Sequence, residues 1–152
     1  MGGALLLDGV DDYVSAAFVL DPAAGPFSVF AWVKGGAPGQ VIVSQMKGAN
    51  WLMAGASDGG LTTELKSSGR TGLILKSAAS VTDGAWHRAG FVWDGSNRIL
   101  YVDDIEVARD TQTTLVGTYT GLHLGTGSTL APGSFWSGLL DDVRIYNRMV
   151  KP

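Results

Sequence analysis

Apolar and polar positions form short runs along this chain, and residues typical of turns separate the runs. Residues 27–33 are rich in aromatic and β-branched side chains, and residues 86–93 form a second run of this kind. Residues 98–102 and 105–108 lie on either side of Asp103-Asp104 and alternate in character. Alternation is typical of half-buried strands, and two such runs around a short turn predict a β-hairpin.

Further apolar runs extend this pattern over the rest of the chain. They predict strands at Ala4–Leu7, Tyr13–Ala16, Val41–Ser44, Trp51–Ala54, Leu61–Lys66, Thr71–Leu75, Leu122–Leu124 and Trp136–Tyr146. No segment has the apolar spacing of an amphipathic helix. Roughly a dozen short strands at this spacing predict an all-β fold, in which two antiparallel sheets pack as a β-sandwich.

The turns between these strands are rich in glycine and aspartate. Glycine supplies 22 of the 152 residues, and Asp-Gly pairs begin at Asp8, Asp58, Asp83 and Asp94. Glycine adopts positive φ angles without a steric penalty, and an aspartate side chain can bond the backbone of its own turn. Both residue types are unfavourable inside helices, so the composition agrees with the strand pattern.

Length and charge exclude several classes of protein. The chain has 152 residues, which is the usual length of one domain, roughly 100–200 residues. The formal net charge is −3 and the 11 Lys and Arg residues are dispersed, so nucleic acid is not an expected partner. The chain has no cysteine, which excludes disulfides, thiol chemistry and cysteine-ligated zinc. No apolar run approaches the ~20 residues of a membrane span, so membrane insertion is not expected.

Five blocks of sequence carry a family resemblance. In chain order they are LDGVDDYV (7–14), FSVFAWVK (27–34), DGAWHR with FVWDGS (83–88 and 91–96), YVDD (101–104) and GLLDDVRIYNR (138–148). Together they resemble the laminin G-like domains of the concanavalin A-like lectin/glucanase superfamily, although Asp104 stands where that family usually has glycine. The resemblance implies a single jelly-roll domain over residues 1–152. It is less specific for function, because the superfamily includes lectins, glycan-binding modules, adhesion domains and some glycosidases.

Catalytic residues are the first chemistry to consider. Glycosidases of this fold place acidic residues at alternate positions of a strand, because residues i and i+2 share a face. Glu64 has Thr62 and Lys66 at those positions, and Glu106 has only Asp104, which falls in a predicted hairpin turn. A carboxylate pair across two strands remains the alternative. The pattern favours a domain that is not an enzyme, with glycosidase activity as the less favoured reading.

The two histidines do not form part of a recognisable catalytic motif. His87 follows Trp86, and His123 lies between Leu122 and Leu124. Both are interpreted as strand residues. The chain has no Gly-x-Ser-x-Gly sequence, so a nucleophile elbow is not predicted.

Two groups of aspartates raise the prospect of a structural calcium ion. Asp8, Asp11 and Asp12 lie on the first hairpin loop, and Asp141 and Asp142 lie in the last predicted strand. Calcium prefers six to eight oxygen ligands, and the resemblance implies that the two terminal strands pair and bring these acids together. The alternative is that these carboxylates bond turn amides, as aspartate does in Asx-turns.

Aromatic residues outside the strand centres are the candidate ligand contacts, because sugars stack their apolar faces on exposed rings. Trp51 and Tyr119 are expected to contact a ligand, and so is Trp136, which follows a long loop. The polar residues expected beside them are Gln45, Asn50, Arg70 and Thr126. Exposed aromatic residues are equally typical of protein–protein contacts.

The sequence therefore predicts a non-catalytic binding module. Its expected partner is a glycan or a glycosylated surface, and calcium is the one candidate cofactor. The alternative is a module for protein–protein adhesion or self-association. No signal peptide is recognisable at the N-terminus, so the chain is expected to be either intracellular or, as the resemblance implies, an extracellular or cell-surface part of a larger exported protein.

Overall fold

Twelve strands account for the regular structure of the computed structural model, which describes residues 3–67 and 73–152. They are β1 (Leu5–Asp8), β2 (Val14–Ala16), β3 (Phe27–Gly35), β4 (Val41–Gln45), β5 (Asn50–Ala54), β6 (Gly60–Thr63), β7 (Leu75–Ser80), β8 (His87–Trp93), β9 (Asn97–Val102), β10 (Ile105–Thr111), β11 (Leu122–Leu124) and β12 (Ser137–Tyr146). Nowhere in these two ranges is there a helix with the length and apolar character needed to cross a membrane.

The strands form two sheets of six, and every pairing is antiparallel. Sheet A has the order β1-β12-β3-β8-β9-β10, and sheet B has the order β2-β11-β4-β5-β6-β7. Buried side chains from both sheets, such as Val29 and Phe91 of sheet A and Leu52 and Leu61 of sheet B, form one core. The predicted antiparallel sandwich is confirmed, and its strand order is consistent with a jelly roll.

One predicted strand is displaced along the chain. The expected strand at 71–75 begins in residues that lie outside the described ranges, and the observed strand β7 starts only at Leu75. In β7, Leu75 and Ser77 are buried while Lys76 and Ala78 are exposed. The alternation is therefore present, but after Leu75 the strand consists of Lys, Ser and Ala residues, which have weak strand propensity. For this reason the sequence pattern placed the strand too early.

The four Asp-Gly turns share one geometry. In each, the aspartate Oδ1 accepts a hydrogen bond of 2.8–2.9 Å from the backbone amide two residues later. The glycine in each has a positive φ between 73° and 97°. These contacts define Asx-turns, so the turn interpretation of Asp8, Asp58, Asp83 and Asp94 is confirmed.

Trp51 and Trp136 lie in the core, and the prediction that they contact a surface ligand is wrong. Both are fully buried. Trp51 packs on Phe27 of the opposite sheet, with ring centroids 5.3 Å apart, and a Cβ added at Gly36 would lie 2.4 Å from the ring of Trp136. Strand alternation does not apply before Ser137, where β12 begins, so Phe135 and Trp136 both turn inward.

A buried arginine connects the two sheets. Arg98 on β9 has a fully buried side chain. Its Nε donates to Asp110 Oδ1 on β10 at 2.8 Å, its Nη2 donates to Asp110 Oδ2, and its Nη1 donates to the carbonyl oxygen of Leu65, which follows β6 of sheet B, at 2.6 Å. One guanidinium therefore connects sheet A to the chain that leaves sheet B.

Candidate functional site

A cleft of about 570 Å³ opens beside the ends of β4 and β6 in sheet B. Four stretches of chain supply its described lining, namely Gln45 with residues 47–49, Glu64 with residues 66–67, Ile74 and residues 116–118. The volume falls in the usual range of ligand sites, about 300–1,000 Å³. The loops that follow β4, β6 and β10 thus meet at one site although they are far apart in the sequence.

Glu64 is the acidic group of the described lining, and a hydrogen bond from Asn50 fixes its orientation. Asn50 Nδ2 donates to Glu64 Oε1 at 2.6 Å, while Asn50 Oδ1 accepts from the backbone amide of Ser128 at 3.1 Å. Glu64 forms no ion pair with any residue in the described ranges. Asn50, expected to contact a ligand, therefore holds Glu64 in place while both of its own polar atoms are engaged.

Gln45 is a second fixed polar group of the cleft. Its side chain is almost completely buried, with 1% of the residue exposed. Its Nε2 faces the carbonyl oxygens of Leu20, Thr118 and Thr120 at 3.3, 3.0 and 3.2 Å. An amide nitrogen has only two hydrogens, so three acceptors occupy it fully. Gln45 thereby connects the loop that contains Leu20 to the loop that contains Thr118 and Thr120.

The rest of the lining combines exposed cations with apolar side chains. Lys47 and Lys66 are exposed, and neither forms an ion pair with a described residue. Ile74 and Val116 are apolar and exposed. A mixture of a few fixed polar groups and apolar walls is the usual composition of a small-molecule site.

Tyr119 lies next to Thr118 at the rim and is 80% exposed. Its ring is 5.9 Å from that of Phe18, which is 47% exposed. The prediction that Tyr119 contacts a ligand stays a prediction. Phe18 was missed, because nothing in its local sequence distinguishes it from other apolar loop residues.

Two other predicted contacts do not lie in the described lining. Arg70 is outside the described residues. Thr126 is fully buried, and its carbonyl oxygen accepts a hydrogen bond of 2.7 Å from Ser44 Oγ. The polar partners that the structure does bring to the cleft are Gln45, which lines it, and Asn50, which supports Glu64.

Asp8, Asp11 and Asp12 form an exposed acidic cluster, with one carboxylate oxygen of each within 4.8 Å of the others. Asp8 Oδ1 accepts from the amides of Val10, Asp11 and Asp12, at 2.8, 3.2 and 3.3 Å, and the first of these bonds is the main reason that the pKa of Asp8 is lowered. The charge of Asp8 in turn raises the pKa of Asp11. The cluster thus serves as a turn and also concentrates negative charge.

Asp141 and Asp142 do not join this cluster. In the β1–β12 register, Asp8 is opposite Ser137. Asp141 lies four residues further along β12, which is roughly 14 Å at ~3.4 Å per residue. Asp141 Oδ1 accepts from the amide of Asp142, and Asp142 Oδ1 accepts from Arg144 Nε at 2.8 Å. The predicted convergence of the two acidic groups is wrong, because the register separates them.

His87 opens strand β8, as the sequence indicated, but two carboxylates flank it. Its Nδ1 is 2.8 Å from Asp103 Oδ2 and its Nε2 is 2.8 Å from Asp83 Oδ1. Partial burial opposes protonation of the ring, yet the hydrogen bonds to Asp103 and Asp83 outweigh it and raise the pKa of His87. The arrangement connects the β7–β8 loop to the β9–β10 turn. The spacing of Asp83 and His87 was visible in the sequence, whereas the approach of Asp103 depends on strand pairing.

Comparisons with known proteins agree with this architecture. Domains LG4-5 of the mouse laminin alpha1 chain superpose with a TM-score of 0.68 at 14% identity, covering 93% of this chain and 40% of that chain. The CBM40 domain of the Ruminococcus gnavus IT-sialidase gives a TM-score of 0.60 at 14% identity, covering 91% of both chains. Domain 4 of AbnA, an extracellular arabinanase from Geobacillus stearothermophilus solved in complex with arabinotriose, gives 0.58 at 18% identity, covering 97% of this chain and 71% of that chain.

These identities establish likeness of fold alone. A comparison with curated proteins gives no match. The family model described as the concanavalin A-like lectin/glucanases superfamily matches residues 8–152. With the two antiparallel six-stranded sheets described above, this match shows that the chain belongs to the concanavalin A-like lectin/glucanases superfamily.

Proposed function

We propose that this chain is a non-catalytic carbohydrate-binding module and that the cleft beside β4 and β6 is its binding site. The observation that carries the proposal is the cleft itself. Hydrogen bonds with Thr118 and Asn50 hold the side chains of Gln45 and Glu64 in place there. Fixed polar groups bind a ligand at a low entropic cost, because their side chains are already ordered. An oligosaccharide suits the site, since its hydroxyl groups match fixed polar atoms and its apolar ring faces match Ile74 and Val116.

The exposed pair of Phe18 and Tyr119 extends this site at the rim. The two rings lie close enough to form one exposed apolar patch, and a patch that continues a cleft adds apolar surface for a ligand. A sugar that leaves the cleft beside Thr118 would meet the ring of Tyr119. Two structural neighbours support a sugar ligand, since one is a CBM40 domain of a sialidase and another was solved with arabinotriose.

Hydrolysis is less well supported than binding. Glycoside hydrolysis uses two carboxyl groups, about 5–5.5 Å apart in retaining enzymes and about 6.5–9.5 Å apart in inverting enzymes. The described lining of the cleft has one carboxylate, Glu64. A single acid beside two exposed lysines suits recognition of a sugar better than cleavage of it.

Calorimetric titration with a panel of oligosaccharides tests the binding proposal. The panel contains arabinotriose, maltotriose, cellotriose and lactose as neutral sugars, with 3′-sialyllactose and trigalacturonic acid as acidic sugars. We expect at least one of them to bind, and Val116→Trp to weaken binding more than tenfold because the indole would fill the cleft. Ile105→Trp is the matched control, since Ile105 is an exposed residue of β10 outside the described lining. Failure of every sugar to bind, or unchanged binding by Val116→Trp, would refute the proposal.

Binding of another protein is the second candidate function. It is favoured by Leu5 and Leu6, which are exposed on β1, an edge strand of sheet A. Edge strands with apolar side chains are common places for a second chain to pair. Light scattering over a range of concentrations tests self-association, and a single monomeric mass throughout would exclude it.

We also propose that the cluster of Asp8, Asp11 and Asp12 binds calcium. The residues fit in charge and donor type, since carboxylate oxygens are the ligands that calcium prefers, and a cation would relieve the repulsion that raises the pKa of Asp11. Calcium at about 100 times its Kd would stabilise the fold by about 2.7 kcal/mol, which raises Tm by roughly 5–10 °C. Asp11→Asn is expected to abolish the rise and Asp142→Asn to preserve it. A calcium-independent Tm would contradict this assignment.

We also propose that the protein is located outside the cell. The neighbours include a laminin chain and an extracellular arabinanase, and a module of this size could serve a larger exported protein. Detection of the chain in the secreted or surface fraction of its source cells is the expected result.

A further inference from the structure

We infer that Gln45 Oε1 and Glu64 Oε2, which we call the floor of the cleft, recognise two donating hydroxyl groups of the ligand. The ligand is therefore a neutral sugar rather than an acidic one. This inference rests on the proposed function, because it names the class of sugar that the same cleft takes. It follows from which atoms of the two side chains are already engaged and which are left.

The hydrogen bonds of Gln45 fix the direction in which its amide points. Three carbonyl oxygens surround Nε2, so the nitrogen and oxygen of this amide cannot be exchanged without placing an oxygen against three acceptors. No residue of the described ranges donates to Oε1. Gln45 lines the cleft and is 1% exposed. Among the described residues, the side-chain atoms that are fully buried without a partner are Trp51 Nε1 and Trp136 Nε1. Gln45 Oε1 therefore keeps contact with solvent and is an acceptor that a ligand or water can reach.

Glu64 offers a second acceptor that is similarly oriented. Its Oε1 is taken by Asn50 Nδ2 at 2.6 Å, and Asn50 is itself anchored on the amide of Ser128. No described residue donates to Oε2. An ionised carboxylate can only accept hydrogen bonds, so the group that binds Oε2 must carry a donor.

Two acceptors on one floor select the chemistry of the ligand. A sugar hydroxyl can donate to each of them, whereas a carboxylate or sulfate group has no hydrogen to donate, so an acidic sugar would have to bind with its acidic group away from both acceptors. An acidic group placed there would also meet the charge of Glu64, which is half-buried and is not paired with a cation in the described ranges.

The two lysines do not reverse this preference. Lys47 and Lys66 are exposed, so water and salt screen their charges and their flexible stems can turn outward. Glu64 is held by Asn50 and less exposed, so its charge acts on the ligand at close range. The floor, rather than the rim, therefore decides between neutral and acidic sugars.

The test compares the wild-type chain with Glu64→Gln on the sugar panel. In Glu64→Gln, Oε1 can still accept from Asn50 while the second position becomes a donor, so we expect the fold to be kept. Loss of a hydrogen bond to a charged acceptor corresponds to about ten- to hundredfold weaker binding. We expect the tightest panel sugar to be neutral and its binding to weaken by this factor. Glu106→Gln is the matched control, since Glu106 is an exposed glutamate of β10 outside the described lining, and its expected change is less than twofold.

The outcomes separate this inference from the proposed function. Tighter binding of an acidic panel sugar than of every neutral one would overturn the inference and leave the binding module intact. Binding of the neutral sugar by Glu64→Gln at wild-type affinity would also overturn the inference and leave the binding module intact. Failure of the wild type to bind any sugar would overturn both. If Glu64→Gln unfolds at a lower urea concentration, Glu64→Ala and the panel preference of the wild type still decide the matter.

Discussion

Removing Asp110 should destabilise the chain strongly, because it leaves the guanidinium of Arg98 buried without a counter-charge. The Arg98 side chain is fully buried, while that of Asp110 is 34% exposed. Breaking a buried pair by removing one partner typically costs about 3–5 kcal/mol. Partial exposure of Asp110 lets water reach the site, so we expect Asp110→Ala to lose about 3 kcal/mol, the lower end of that range.

Removal of the other partner, Arg98, should lower the free energy of unfolding by a smaller amount. Arg98→Met removes the buried charge and keeps most of the apolar stem. Asp110 can then be hydrated, and the main loss is the unsatisfied carbonyl oxygen of Leu65, which costs about 1–2 kcal/mol. The double variant should resemble Arg98→Met alone, which gives a coupling energy of about −3 kcal/mol between the two sites.

Urea unfolding followed by circular dichroism measures these differences. With a slope of about 2 kcal/mol per molar, Asp110→Ala should lower the midpoint by about 1.5 M. The slope itself should not change, since the folded surface stays the same. A loss below about 1 kcal/mol for Asp110→Ala, or a double variant less stable than Asp110→Ala, would refute the view that Arg98 depends on this partner.

Two further predictions concern sterics and pH. Gly36→Ala should lower the free energy of unfolding by about 2–5 kcal/mol, because the strain of its positive φ, roughly 1–2 kcal/mol, adds to the clash with Trp136. Gly39→Ala should show the strain alone, because its Cβ meets nothing within 4 Å. Equal urea midpoints for the two variants would contradict the clash. The raised pKa of His87 means that its stabilising contribution is present below the unfolded pKa of about 6.5 and is lost as pH rises through the folded pKa. The wild type should therefore lose more stability than His87→Gln between about pH 6 and pH 8, and parallel profiles would exclude the effect.

Local signals in the sequence were sufficient to predict most of the fold. Strand β3 is a continuous aromatic and β-branched run, and Asp94-Gly95 adopts the turn that its two residue types favour. These features depend on neighbours in the chain. Strand β7 was misplaced because its buried positions include Ser77, which carries little apolar signal.

The candidate site was harder to predict, since its side chains act through partners far away in sequence. Gln45 is separated by 73 residues from Thr118, whose carbonyl oxygen it bonds. The burial of Trp51 is likewise set by Phe27 on the other sheet. Sequence patterns identified polar and aromatic residues as candidates, but only tertiary contacts decide which of them face water.

The burial of Trp51 and Trp136, two of the five tryptophans, affects what the intrinsic fluorescence of this protein reports. Their indole nitrogens have no hydrogen-bond partner in the described part of the chain, and an indole in apolar surroundings emits at shorter wavelength than one in water. Unfolding should therefore shift the emission to the red. The described lining of the cleft contains no tryptophan, so quenching titrations, a common optical assay for sugar-binding modules, would report tryptophans away from the cleft, including the half-buried Trp32 and Trp86. Replacing Tyr119 at the rim by tryptophan would add the missing optical probe.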